Sequence, residues 1–231
     1  MIFALAAAAV TIPLGHHQPA CPDRAVAQSY TCKAVQADKA GDDGQAAADF
    51  EQAAQLAKAD DPSGARAWAA AGNMWIAAGD PAKAAVDLDR ALSGTALQGL
   101  QRGEALLDRA RAAEDQGDDK MARAKLTEAQ QTVSADPFLW YFSAALALRE
   151  NDVATAKDSI GRALTLVPND ATMLFEAGHV EEVAGDDAGA RDYWTRAAAA
   201  DPNGDIGKAA RQALTVIGPA LTVKMDGPAK P

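Results

Sequence analysis

The chain has 231 residues, of which 48% are hydrophobic but only 5% aromatic, and alanine dominates the apolar set. This composition favours α-helices that approach one another closely, and it opposes β-sheet. The formal net charge of −10 gives a surface that repels phosphate backbones, so we do not expect a nucleic acid as the ligand.

The first fourteen residues, MIFALAAAAVTIPL, carry no charged side chain. This length suits the apolar part of a secretory signal and is shorter than the roughly 20 residues of a membrane span. A basic residue after Met1 is missing, so either the free amino terminus supplies the positive charge or the start lies upstream. We expect residues 1–20 to be a signal peptide and the mature chain, without a membrane span, to be periplasmic or secreted. An ordinary helix before the first repeat is the alternative, and it would leave the protein in the cytoplasm.

Two cysteines, Cys21 and Cys32, follow this segment. In an exported protein we expect them to form a disulfide, which would stabilise the fold by on the order of 3 kcal/mol. One alternative is lipidation of Cys21, although Gln18 stands where a lipobox has an aliphatic residue. Two free buried thiols are the alternative for a cytoplasmic protein.

Five short turns recur along the chain at steps of 38, 38, 34 and 34 residues. They are Gly41-Asp42, Gly79-Asp80, Gly117-Asp118, Asn151-Asp152 and Gly185-Asp186. Steps of this size indicate stacked supersecondary units, and 34 residues is the period of a helix-turn-helix repeat. We expect the aspartate of each turn to cap the second helix of its unit, where a carboxylate satisfies exposed N–H groups.

The same apolar triplet follows each turn. Alanine comes five and twelve residues after the first turn residue, and a large apolar residue comes nine after it, so all three share one helical face. The triplets are Ala46/Phe50/Ala53, Ala84/Leu88/Ala91, Ala122/Leu126/Ala129, Ala156/Ile160/Ala163 and Ala190/Trp194/Ala197. In the helix before the second turn, Gly72 lies between Trp68 and Trp75. Glycine costs about 1 kcal/mol here relative to alanine, so we expect Gly72 to pack closely against its partner helix.

Together these residues resemble the tetratricopeptide repeat (TPR) family, here as a bacterial and exported member, over about residues 27–204. The resemblance implies an all-α fold, a right-handed superhelical solenoid of helix-turn-helix repeats, with about five repeats and a C-terminal capping helix. Within a repeat domain at 21–218, the expected units are 27–60, 65–98, 103–136, 137–170 and 171–204, with a capping helix at 204–218. Residues 219–231 are expected to form a disordered tail. The two 38-residue steps place about four extra residues in junctions near 61–64 and 99–102, which we expect to bend or loosen the array.

Residues for catalysis or metal binding are sparse. His16 and His17 lie in the expected signal segment, and His179 has no second histidine or cysteine at metal-ligand spacing. The acidic pairs at the turns lack the ligand spacing of a calcium loop, and no glycine loop is followed by Lys-Ser or Lys-Thr. We therefore expect no enzymatic activity, no cofactor and no metal site. An enzyme assembled from distant residues is kept only as a third hypothesis.

The resemblance implies that the first helices line a concave groove that binds a peptide or protein segment. The matching positions are Arg66, Ala69, Asn73, Leu107, Arg111, Phe138, Tyr141, Arg149, Phe175 and His179. Arginine and aromatic residues often anchor protein interfaces, and we expect contacts mainly around Arg111 to Arg149. Alternatively, the aromatic residues pack between units and the arginines pair with nearby carboxylates. A second functional hypothesis is an assembly module of an envelope complex that acts through self-association or packing of its end caps.

Overall fold

The computed structural model of the protein describes residues 21–58 and 61–217. Over these ranges the chain forms eleven α-helices and no strand, so the predicted all-α fold is confirmed. The helices are α1 (Ala27–Lys39), α2 (Asp43–Leu56), α3 (Pro62–Ala77), α4 (Pro81–Leu92), α5 (Gly99–Asp115), α6 (Asp119–Ala129), α7 (Pro137–Arg149), α8 (Val153–Leu166), α9 (Ala171–Val183), α10 (Asp187–Ala200) and α11 (Asp205–Val216). Consecutive helices pack against each other along the chain as a solenoid. The expected signal peptide and C-terminal tail lie outside the described residues.

Each of the five predicted turns joins two helices of a hairpin. The four turn glycines have φ between 75° and 79°, and Asn151 has φ 57°. These values lie in the left-handed region, which glycine enters without a steric penalty and asparagine tolerates better than most residues. The turn prediction is therefore confirmed, with the one asparagine adopting the same conformation as the glycines.

The aspartate of each turn is the N-cap of the second helix, as predicted. Each carboxylate accepts a hydrogen bond of 2.9–3.1 Å from the backbone N–H three residues later. These N-caps are Asp42, Asp80, Asp118, Asp152 and Asp186. The bond from the Lys83 N–H lowers the pKa of Asp80, and the bonds from the Thr155 hydroxyl and N–H lower the pKa of Asp152. The acidic pairs at the turns are thus structural caps.

A glycine before the second turn and another before the fifth turn pack against a large residue after the turn. A Cβ added to Gly72 would lie 2.5 Å from Leu88 Cγ, which confirms the predicted close approach. A Cβ added to Gly178 would lie similarly close to the indole of Trp194. All ten alanines of the triplets are buried, and so are four of the five large residues. Phe50 is the exception: it is only half-buried and faces the concave side of the array.

The extra residues of the two 38-residue steps lie inside helices. Helices α3 and α5 contain 16 and 17 residues, whereas α7 and α9 contain 13 each. The expected loose junctions at 61–64 and 99–102 are therefore wrong, because these residues form the first turns of α3 and α5 and their caps. Arg102 holds the start of α5 by donating to the carbonyls of Leu92 and Gly94 at 3.2 and 3.3 Å. As a result, α3 and α5 extend by about one turn beyond the other first helices.

A buried arginine ties two neighbouring units together. Arg109 on α5 is only 8% exposed. Its guanidinium donates to both carboxylate oxygens of Asp89, at 2.8 and 3.3 Å. This bidentate contact joins α5 to α4 and compensates for burying the charge.

Both ends of the described array are closed by specific contacts. At the start, Cys21 and Cys32 form a disulfide with their Cα atoms 5.7 Å apart, which is the first of the three alternatives considered for these residues. At the other end, α11 covers the region predicted as a capping helix. Its Ala210 is fully buried and packs with Trp194 and Leu174. Within the described part of the chain, none of the helices has the length and apolarity of a membrane span.

Candidate functional site

A cavity of about 600 Å³ lies on the concave side between the first helices α3, α5 and α7. Four of the predicted groove residues line it: Arg66, Asn73, Arg111 and Phe138. Ala69 and Leu107, which the resemblance also placed in the groove, line it too. The elongated helices α3 and α5 supply most of the lining.

Asp108 lies at the centre of a polar cluster in this cavity. Its Oδ2 accepts from Asn73 Nδ2 at 2.9 Å, and its Oδ1 accepts from Arg111 Nη1 at 3.2 Å. Burial raises the pKa of Asp108, although both hydrogen bonds act in the opposite direction. Asp108 was not among the predicted groove residues. It precedes Arg111 by three residues on the same helical face, and this spacing could have revealed it.

Phe138 presents an aromatic surface to the cavity. Its side chain is 37% exposed, and its ring centroid lies 6.0 Å from those of Tyr141 and Phe142. The guanidinium carbon of Arg111 lies 6.0 Å from the same ring. Asp136 and Pro137 fix the position of Phe138, because Pro137 opens α7 and Asp136 caps it through the Phe138 N–H at 2.9 Å. A rigid, partly exposed ring is the type of residue that anchors protein interfaces.

Three further predicted residues, Tyr141, Phe175 and His179, lie farther along the array. Tyr141 is half-buried on α7; burial, together with the carboxylates of Glu176 and Glu114, raises its pKa. On α9, the rings of Phe175 and His179 lie 4.5 Å apart, and His179 meets Trp194 edge-on at 5.6 Å. These three residues do not line the cavity. Phe175 and His179 form a ring pair on α9, while Tyr141 lies next to Phe138.

Arg149 is held by carboxylates of neighbouring helices. Its two terminal nitrogens lie 2.5 Å from Glu114 Oε1 and 3.0 Å from Asp119 Oδ1. These ion pairs connect α7 to α5 and to the start of α6. Arg149 does not line the cavity, and its position matches the alternative in which an arginine pairs with nearby carboxylates.

Several cavity residues had no counterpart in the sequence prediction. They are Asp38 on α1, Phe50 on α2, Met74 on α3, Leu97 before α5, Gln101 in the added turn of α5 and Glu104 just after that turn. Leu97 could not be predicted from the repeat pattern, because it lies in the loop between α4 and α5. Phe50 followed the buried triplet pattern, so its exposure to the cavity was not expected. Among the described residues, no group of three or more His, Cys, Asp or Glu side chains is arranged to hold a metal ion.

The fold and the cavity define a class of protein, a solenoid of helical hairpins with an open concave surface. No protein-family model and no curated protein matches the sequence at a significant level. Solved structures do match. A TPR protein from Parabacteroides merdae is 15% identical with a TM-score of 0.69, and the match covers 83% of this chain and 73% of that chain.

Two further structures extend the comparison. PilW, a type IV pilus biogenesis factor, is 17% identical with a TM-score of 0.67, over 79% of this chain and 81% of that one. YrrB, described as a TPR protein with an unusual peptide-binding site, is 18% identical with a TM-score of 0.61, over 80% and 91%. The chain therefore has the TPR fold, and the resemblance read from its sequence is confirmed at the level of the fold.

Proposed function

We propose that this protein is a non-enzymatic scaffold that holds a peptide or protein segment in the concave cavity between α3, α5 and α7. A repeat array of this fold serves as a protein-protein interaction surface. On its concave side α5 packs beside α3, and Phe138 of α7 lines the same cavity.

The cavity itself is the observation that carries the proposal. Its volume of about 600 Å³ falls within the range of sites that enclose several side chains. Apolar surface from Met74, Leu107 and Phe138 lies beside the polar cluster of Asn73, Asp108 and Arg111. Such a mixture can bury apolar side chains of a partner and fix their register by hydrogen bonds.

We place the protein in a bacterial envelope compartment, periplasmic or secreted. The disulfide between Cys21 and Cys32 supports this, because such bonds persist in oxidising compartments. The similarity in fold to PilW, a pilus biogenesis factor, agrees with it. Labelling of thiols in protein taken directly from its native cells tests the location. Unreactive cysteines before reduction are expected, whereas two reactive thiols in a cytoplasmic fraction would contradict the assignment.

Photo-crosslinking from the cavity tests the function. A benzoylphenylalanine placed at Phe138, whose side chain already reaches the cavity, is expected to capture a partner in native cells. The matched control carries the same group at Val86, which is 50% exposed on α4 and does not line the cavity.

The captured species separates the two functional hypotheses. A crosslink to another protein from position 138 but not from position 86 supports the groove scaffold. A crosslink mainly between two copies of this chain, with the same yield from both positions, supports the assembly module instead.

A further inference from the structure

The guanidinium groups of the concave side are largely neutralised within the protein. Arg111 pairs with Asp108, and Arg149 pairs with Glu114 and Asp119. Of the two arginines that line the cavity, only Arg66 is in no ion pair with another described residue. Arg66 is therefore the one guanidinium of the described cavity lining left to attract an acidic partner, because Arg111 is already paired.

Carboxylates outnumber cations around the cavity. Its lining contains four carboxylates, from Asp38, Glu104, Asp108 and Asp136, and two guanidinium groups. Asp38 and Glu104 are exposed, and neither is in an ion pair with another described residue. The rim of the cavity thus carries free negative charge, while the half-buried Asp108 is already paired.

Apolar side chains supply the rest of the cavity wall, including Phe50, Met74, Leu97, Leu107 and Phe138. A lysine or arginine of a partner can lay its aliphatic stem along such a surface and keep its charged end at the acidic rim. The rings of Phe50 and Phe138 add a further attraction for a cation. An acidic side chain would bind to the same wall less tightly, because the rim carboxylates would repel it.

We propose that the concave cavity selects a protein segment in which apolar side chains alternate with lysine or arginine, and that it rejects acidic segments. This inference rests on the proposed function and names the chemistry of the partner. The net charge of −10 acts in the same direction, because it steers basic segments toward the protein and repels acidic ones.

Two fluorescein-labelled peptides test the selectivity. They share the same leucine positions and carry either lysine or glutamate at every other position. In anisotropy titrations with the full chain, the lysine peptide is expected to bind at least about tenfold more tightly at low salt. The difference should shrink as the ionic strength rises toward about 0.5 M, because screening weakens exposed charges first.

Variants that remove carboxylates distinguish the effect of the cavity rim from the effect of the overall net charge. Asp38→Asn combined with Glu104→Gln should weaken the lysine peptide by about threefold or more. The control pair, Asp158→Asn with Asp192→Asn, removes the same charge from exposed positions on α8 and α10 and should have a smaller effect. Arg66→Gln should act in the opposite direction and strengthen binding of the lysine peptide.

Equal or tighter binding of the glutamate peptide would overturn the proposal. So would an unchanged affinity of the lysine peptide in the rim variant, an equal loss in the control pair, or no binding of either peptide. These results would leave the scaffold function standing if position 138 still captured a partner. Failure of that crosslink together with equal affinities in the rim and control pairs would show that the groove is not the binding surface.

Discussion

Gly72 sets how closely α3 approaches α4. Leu88 occupies the space that a Cβ at position 72 would need, and Trp194 does the same beside Gly178 in the last hairpin. Each glycine stands seven residues before its turn residue, and each large side chain stands nine after it. The hairpin thus gains the burial of a large residue at the cost of helix propensity in its first helix.

Replacing Gly72 with alanine should destabilise the protein by about 1–2 kcal/mol. Leu88 would have to leave its position, and this strain exceeds the gain in helix propensity. Gly161→Ala is the matched control, since its Cβ would meet nothing within 4 Å in α8, and it should stabilise by up to about 1 kcal/mol. Urea unfolding of both variants checks this. Equal stabilisation by the two substitutions would show that α3 and α4 are not closely packed at Gly72.

Turn residues and packing alanines could be predicted at this scale, because their roles depend on local spacing. The positive φ of Gly41 and Asn151 and the cap at Asp42 follow from residues adjacent in sequence. The pairing of Arg149 with Glu114 could not be predicted. It joins residues 35 positions apart, and several carboxylates lie within reach of any arginine at that spacing.

At the scale of elements, α2 and α4 meet at a pair of carboxyl groups. Asp87 on α4 is only 2% exposed. Its Oδ1 accepts from Arg90, and its Oδ2 has no hydrogen-bond partner among the described residues. Burial and the neighbouring Glu51 carboxylate on α2 raise the pKa of Asp87 to about 6, against a lowering effect of Arg90. Glu51 is itself fixed by Trp75 Nε1 of α3 at 2.6 Å.

This pair should make the contact between the first two hairpins sensitive to pH. Asp87 binds its proton more tightly in the native state than in the unfolded chain, whose pKa is near 3.8. Its contribution to stability is therefore complete below about pH 4 and is lost as the pH rises through about 6. The loss is on the order of 3 kcal/mol, by the conversion of a pKa shift to free energy.

Asp87→Asn should remove this dependence and be more stable than the wild type near pH 8, because an amide can donate to Glu51 without a charge. Urea unfolding at about pH 4 and pH 8 gives the measurement, with Asp192→Asn on the exposed face of α10 as the control. A difference between wild type and Asp87→Asn that is the same at both pH values would contradict the account.

The lengths of the first helices could not be predicted from the sequence. The repeat steps showed that extra residues were present but not where they lay. Pro62 and Gly99 were interpreted as junction residues, whereas they begin α3 and α5. Proline is compatible with the first turn of a helix as well as with a loop, so its presence did not distinguish the two. This difference matters, because the added turn of α5 supplies Gln101 to the cavity.

At the scale of the whole molecule, the array combines an acidic surface with one concave cavity formed by three consecutive first helices. The fold followed from the recurring turns and triplets, since each unit repeats the same local pattern. The position of the cavity was predicted only in part. Contacts were expected around Arg111 to Arg149, but the cavity extends toward the N terminus through Arg66 to Asp38 and ends at Phe138.

The proposed function requires a partner to bind in the cavity between α3, α5 and α7. The most direct test is the affinity of the partner captured from position 138 for Phe138→Ala, compared with Val86→Ala as an exposed control outside the cavity. We predict at least about tenfold weaker binding for Phe138→Ala, the effect of losing one interface anchor, with unchanged helicity and unchanged binding for Val86→Ala. Equal affinity of both variants and the wild type would contradict the claim.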